Sequence, residues 1–99
     1  MKEQSEQITQ KFISDYLDSI GAYSVKVIKA NRAGVPDILC CLPSLGGRLV
    51  GVEVKKKGGV VSALQKYHIK QINDAGGLGL VAYSVQDVKD AVEQFKEMI

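Results

Sequence analysis

The sequence lacks the features of a membrane-bound or disulfide-stabilised protein. None of its apolar runs approaches the roughly 20 residues needed to span a bilayer. The first seven residues, MKEQSEQ, lack the apolar run and cleavage site of a secretory signal, so we expect a cytoplasmic location and no membrane partner. Its two cysteines, Cys40 and Cys41, are adjacent in a strand-like run and point to opposite faces, which predicts reduced packing residues. With no repeat, low-complexity segment or linker, the 99 residues predict one domain over 1–99.

Charge is spread unevenly along the chain. The net charge is only +2, but residues 26–70 contain nine basic and two acidic side chains, a local net charge of +7. Residues 1–25 carry −2 and residues 71–99 carry −3. A basic centre between acidic ends suits a polyanionic partner such as nucleic acid. The alternative is an ordinary solvated lysine-rich surface.

Apolar periodicity predicts the order helix, three strands, helix, strand, helix. The first helix covers residues 3–20, three strands follow at 23–29, 37–42 and 48–55, and a fourth strand covers 80–83. The second helix runs from Ser62, where Ser62 and Gln65 match a capping box, to about Ala75. Its apolar side is predicted to consist of Leu64, Tyr67, His68, Ile72 and Ala75, and the last helix follows Ser84. We therefore predict an α/β fold, αβββαβα, with a small mixed sheet flanked by helices.

The strand over residues 48–55 carries the residues of chemical interest. Its alternation places three valines on one face and Gly51, Glu53 and Lys55 on the other, where we expect Gly51 to leave room for a substrate backbone. Asp37 opens the preceding strand, and a hairpin between the two strands would bring it beside Glu53. Two adjacent carboxylates repel each other unless a divalent cation lies between them, and oxygen ligands favour Mg²⁺ or Mn²⁺.

Such a centre suits hydrolysis of a phosphodiester bond. A divalent metal ion polarises the phosphoryl oxygens and lowers the pKa of a bound water, and Lys55 would orient or deprotonate that water. The alternative is that Glu53 and Lys55 form an exposed ion pair of little energetic value.

Gly34-Val35-Pro36-Asp37 followed by Glu53-Val54-Lys55 resembles the PD-(D/E)XK nuclease superfamily, whose restriction-endonuclease-like core has the element order predicted above. Five blocks in order narrow the resemblance to the VRR-NUC (virus-type replication-repair nuclease) family, over residues 5–92. They are 5–8, 34–37, 51–55, Ser62 with Gln65, and 74–77. The chain is similar to short stand-alone phage members of that family, which would place it in a host-cell cytoplasm.

By position, the resemblance implies that Asp37, Glu53 and the backbone carbonyl of Val54 bind Mg²⁺ or Mn²⁺, with Lys55 as the catalytic lysine. It also implies that Glu6 is a further metal ligand and that Gln65 belongs to the catalytic site. For Glu6 the alternative is an acid favoured by the helix dipole, and for Gln65 it is the capping box alone.

The loop before Pro36 is shorter and poorer in arginine than in many family members. Arg32, Lys56, Lys57 and Lys66 are the candidate phosphate contacts, with solvated side chains as the alternative. His68 is predicted to be a packing or interface residue rather than a general base.

These features favour a metal-dependent, structure-selective DNA endonuclease. We expect a Holliday-junction resolvase that cuts branched DNA as a homodimer, because two strands must be cut symmetrically and one small domain holds one centre. The alternatives are a nickase or flap endonuclease of the same superfamily, and a DNA-binding module that keeps the fold without its chemistry.

Overall fold

A four-stranded mixed sheet lies at the centre of the computed structural model, which describes residues 5–99. The elements are α1 (Glu6–Ser19), β1 (Tyr23–Lys26), β2 (Ile38–Cys41), β3 (Leu49–Val54), α2 (Ala63–Asp74), β4 (Leu78–Ala82) and α3 (Val85–Met98), with a one-turn 3₁₀ helix, Pro43–Leu45, between β2 and β3. The strand order is β1-β2-β3-β4. The first two pairs are antiparallel and β3 pairs with β4 in parallel. The predicted fold class and element order are confirmed.

Helices α1 and α3 pack on one face of the sheet and α2 packs on the other. Alternation along β3 explains this division, because its valines point to one face and the intervening residues to the other. The valine face belongs to the hydrophobic core, where burial of apolar surface stabilises the fold by about 25 cal/mol per Å². Its central members are Ile13 and Leu17 of α1, Val50, Val52 and Val54 of β3, and Val88 and Val92 of α3.

Gly51 lies on the other face, directly beneath α2. A Cβ atom at this position would lie 2.7 Å from Cδ1 of Ile72 and 3.1 Å from Cγ of Pro36. The glycine therefore permits close packing of helix and sheet, and our prediction that it leaves room for a substrate backbone was wrong. The sequence of β3 alone does not show whether its glycine permits close helix packing or leaves room for a substrate.

Side-chain caps define the starts of the helices. Ser5 accepts a hydrogen bond from the Ile8 amide at 3.2 Å, so α1 begins at Glu6. The start predicted at residue 3 lies outside the described residues. Ser62 and Gln65 form the predicted capping box at the start of α2.

Three predictions differ in detail from the structure. Strand β1 ends at Lys26, three residues early. Strand β4 begins at Leu78, two residues early, because the Asn73 side chain accepts from the Gly79 amide at 2.8 Å and so aligns the chain after α2. On the predicted apolar side of α2, Leu64 and Tyr67 remain 53% and 47% exposed.

Two other expectations concern the cysteines and the membrane. Cys40 is buried in the core beneath α1 and α3, and Cys41 is half-buried; both thiols are free, as predicted. Within residues 5–99, no helix combines the length and apolar composition of a transmembrane span.

Candidate active site

Glu53 lies in β3 on the face covered by α2, and only 3% of the residue is exposed. Its Oε2 atom accepts a hydrogen bond from Gln65 Nε2 at 3.0 Å and lies 3.7 Å from Lys55 Nζ. The Lys55 side chain is itself only 14% exposed. The pair is thus largely removed from water, which argues against the alternative of an exposed surface ion pair.

Asp37 immediately precedes β2 and reaches the same place. Ile38 pairs with Val52 across the β2–β3 ladder, so the next position back along β2, Asp37, lies beside Glu53 on the α2 face. The Asp37 Oδ2 atom accepts a hydrogen bond from the Val54 amide at 2.8 Å, which fixes the carboxylate against β3. The hairpin therefore brings the two acids together, as the sequence predicted.

The proximity of the two acids changes the ionisation of Glu53. The pKa of Glu53 is raised from 4.5 to about 7, chiefly by burial and next by the negative charge of Asp37, whereas the Lys55 ammonium opposes the rise. A side-chain hydrogen bond between Asp37 and protonated Glu53 contributes in the same direction. Burial and two neighbouring carboxylates therefore disfavour the charged form of Glu53.

Glu6, the first residue of α1, adds a negative charge that acts on Glu53 from a third element. It lies one turn before Thr9 on the inward row of α1, and its negative charge also raises the pKa of Glu53. Even so, residues 5–99 contain no group of three or more His, Cys, Asp or Glu side chains arranged to hold a metal ion. The oxygen donors that the structure places together are the Asp37 and Glu53 carboxylates.

Gln65 takes part in the capping box and also contacts the candidate site. Its Oε1 accepts from the Ser62 amide at 2.9 Å in the capping box, while its Nε2 donates to Glu53. The start of α2 is thereby tied to the carboxylate in β3. A capping role and a position in the candidate site are compatible, because the amide group has a separate atom for each.

Gly34 sets the position of α2 relative to the segment that leads to Asp37. Its φ is +88°, and a Cβ atom would lie 2.8 Å from the carbonyl carbon of Leu64 in the first turn of α2. Only glycine readily combines this backbone conformation with so close an approach. The sequence showed this glycine within a motif, but its packing partner is distant in sequence and gave no signal.

The candidate phosphate-binding residues are all exposed. Lys56 and Lys57 follow Lys55 at the end of β3, and Lys66 follows Gln65 in the first turns of α2, so these three lysines adjoin residues of the candidate site in the sequence. Arg32 lies in the loop between β1 and β2, with its guanidinium carbon 6.0 Å from the centroid of the Tyr67 ring. His68 is buried, with 8% exposure, in agreement with the predicted packing role.

Comparison with known proteins identifies the domain family of this chain. The family model of the VRR-NUC domain matches residues 1–86. A solved structure named "VRR_NUC domain" superposes with a TM-score of 0.74 at 24% identity, covering 91% of this chain and 97% of the other. A second, named "VRR_NUC domain protein", has a TM-score of 0.72 at 18% identity and covers 99% and 93%. No protein of curated function matches significantly.

The fold and the domain match together define a nuclease-type, DNA-processing fold. The chain belongs to the VRR-NUC domain family.

Proposed function

We propose that the protein is a metal-dependent DNA endonuclease whose reaction centre consists of Asp37, Glu53 and Lys55. The observation that carries this proposal is the meeting of two carboxylates from different strands, one of them buried, beside a shielded lysine. Burying such a group costs free energy, so the arrangement is more readily explained by chemistry than by stability.

The donor atoms fit a hard divalent cation. Burial and the neighbouring Asp37 charge disfavour the carboxylate form of Glu53, which a bound cation would stabilise, and carboxylate oxygens are the ligands that Mg²⁺ and Mn²⁺ prefer. In our proposal Asp37, Glu53 and the carbonyl of Val54 hold the ion, and Glu6 acts from α1 directly or through water. The ion supplies Lewis-acid stabilisation of the negative charge that develops on the phosphoryl group.

The protein's own residues then position the remaining groups. Lys55 orients the attacking water and balances charge at the phosphorus. Gln65 holds the Glu53 carboxylate by its 3.0 Å hydrogen bond, so the carboxylate keeps one orientation. Lys56, Lys57 and Lys66 bind phosphates on either side of the cut, and Arg32 binds a phosphate further along the strand. All four side chains are exposed, and none forms an ion pair within the described part of the chain.

For the substrate, we propose branched DNA cut by a homodimer, in the manner of a Holliday-junction resolvase. Symmetric cutting needs two centres related by a two-fold axis. The sheet offers a surface for pairing: α2 does not cover β1, where Tyr23 is 73% exposed and Val25 is 42% exposed on the same face. Two copies of the chain that bury this patch would remove apolar surface from water.

Cleavage assays on four DNA structures test the function. A four-way junction, a flap, a nicked duplex and a plain duplex of matched sequence are incubated with Mg²⁺, Mn²⁺ or EDTA. We expect cleavage only with the metal ion, and fastest on the junction. Asp37→Ala should lower the rate by about 10³-fold or more, since a metal ligand supplies several kcal/mol and each 1.4 kcal/mol is tenfold. Glu93→Gln, an exposed acid on α3, is the matched control.

The other outcomes separate the alternatives. Preference for the flap or the nicked duplex would retain the reaction centre and replace the resolvase assignment. Full cleavage by Asp37→Ala would refute the centre, and metal-independent binding without cleavage of any substrate would make a DNA-binding module the better description. Sedimentation of wild type and Tyr23→Glu tests the dimer, which the added charge should dissociate.

A further inference from the structure

A cavity of about 430 Å³ lies beside the second half of α2, near the start of β3. Arg32, Arg48 and His68 line it together with the apolar side chains of Leu49 and Ile72. We call it the Arg32–Arg48 cavity. None of its nine lining residues is acidic, and none is Asp37, Glu53, Lys55 or Gln65, so it is separate from the reaction centre.

The two arginines that line the cavity retain free hydrogen-bond donors. Arg48 Nη1 donates to the carbonyl oxygen of Gly76 at 3.4 Å, which uses one of the five N–H groups of a guanidinium. Arg32 lies over the Tyr67 ring rather than against an acid. Across residues 5–99, neither arginine forms an ion pair with a carboxylate.

The surroundings hold these donors near the cavity. Tyr67 contacts Arg32 on one side and His68 on the other, where the two rings meet edge-on with centroids 5.7 Å apart. A Cβ atom at Gly77 would lie 2.7 Å from the carbonyl oxygen of Leu49, so the turn after α2 approaches β3 closely beside the cavity. The cavity therefore presents two guanidinium groups that have no counter-anion. Such a pair suits a phosphate, because arginine binds phosphate oxygens through paired N–H groups.

We propose that the Arg32–Arg48 cavity binds a backbone phosphate of the DNA strand, at a distance from the phosphate that is cut. This inference rests on the proposed function, because it takes DNA as the substrate. Helix α2 runs from one place to the other: Gln65 touches Glu53, and the cavity extends from His68, three residues further on, to the residues just after the helix. Arg48, bonded to Gly76, lies at the far end of the cavity. At 1.5 Å per residue, the ten residues from Gln65 to the helix cap at Ala75 span about 15 Å, or roughly four base pairs at 3.4 Å each.

Binding measured without metal tests the cavity independently of cleavage. Fluorescence anisotropy of a labelled junction is recorded in EDTA at several salt concentrations for wild type, Arg48→Ala, Arg48→Lys and Lys96→Ala. Lys96 lies on α3, across the sheet from the cavity. We expect Arg48→Ala to weaken binding about fivefold to tenfold and to reduce the slope of log K against log salt by about one. Arg48→Lys should keep most of the slope, and Lys96→Ala should match wild type.

Substrate length supplies a second test. On DNA trimmed from either end, the binding defect of Arg48→Ala should disappear once one side of the junction point is shorter than about four base pairs. Wild-type affinity and slope in Arg48→Ala would overturn the proposal. A lowered melting temperature with unchanged DNA binding would also overturn it, since Arg48 would then serve only to hold Gly76 at the end of α2. If Arg48→Ala loses DNA binding but the wild type cleaves no DNA, the proposed nuclease activity is refuted and the cavity remains a DNA contact.

Discussion

Replacing Glu53 with glutamine should stabilise the metal-free protein at high pH while abolishing its activity. The pKa of Glu53 is 4.5 before folding and about 7 in the folded chain, chiefly because of burial. Each tenfold change in proton affinity is worth about 1.4 kcal/mol, so ionising the folded protein at this site costs about 3 kcal/mol. Glu53→Gln keeps the shape of the side chain and avoids that cost.

The sign of the pH dependence follows from proton linkage. Between pH 4.5 and about 7 the folded protein binds the Glu53 proton more tightly than the unfolded chain, so stability falls as pH rises through this window. The free energy of unfolding, measured by urea denaturation in EDTA at pH 4, 5, 6, 7 and 8, should be similar for wild type and Glu53→Gln near pH 4. At pH 8 the variant should be more stable by up to about 3 kcal/mol.

A matched control and a clear contrary result accompany this experiment. Glu93 is exposed on α3, and Glu93→Gln should show no comparable pH-dependent difference from wild type. The reasoning would be refuted if the wild type and Glu53→Gln curves stayed parallel from pH 4 to 8. It would also fail if the glutamine variant were the less stable protein at pH 8.

Three further predictions concern Gln65, Gly34 and the two cysteines. Gln65→Glu keeps a side chain suited to the capping box but loses the N–H group that donates to Glu53. The steady-state rate of cleavage should therefore fall about 10- to 100-fold, while the helix content measured by circular dichroism stays unchanged. Gly34→Ala should cost more free energy of unfolding, by about 1–3 kcal/mol, than Gly58→Ala, because both have positive φ but only Gly34 meets the backbone of α2. Burial raises the pKa of Cys40 to about 11, so at pH 8 iodoacetamide should label Cys41 and spare Cys40 until the protein is unfolded.

Each of these has its own contrary outcome. Undiminished cleavage by Gln65→Glu would leave that residue with capping alone. Equal destabilisation at the two glycines would mean that the contact with α2 contributes nothing, and equal labelling of the two cysteines would contradict the burial of Cys40.

The element order and the carboxylate pair could be predicted from the sequence, because both depend on short-range patterns. Alternation in β3 fixed the face that Glu53 occupies, and the hairpin between β2 and β3 then left Asp37 one place beside it. The capping box was equally local, since its two members are three residues apart.

Features that depend on packing between distant elements could not be predicted. The prediction that Gly51 leaves room for a substrate was wrong because Ile72 of α2 occupies that space, and the position of α2 depends on the whole fold. The exposure of Leu64 and Tyr67 was missed for a related reason: helical periodicity shows which side chains share a face, but not how far the sheet extends beneath that face. The sequence around Arg48 does not indicate a cavity, because most of the residues that line the cavity with Arg48 come from other parts of the chain.

Anomalous diffraction from crystals soaked in Mn²⁺ is the most direct test of a reaction centre at Asp37 and Glu53. The account predicts a manganese peak bridging oxygen atoms of these two carboxylates in wild type, and its loss in Asp37→Ala. A fully occupied lattice with no peak between the two acids, or a peak that survives removal of Asp37, would contradict it.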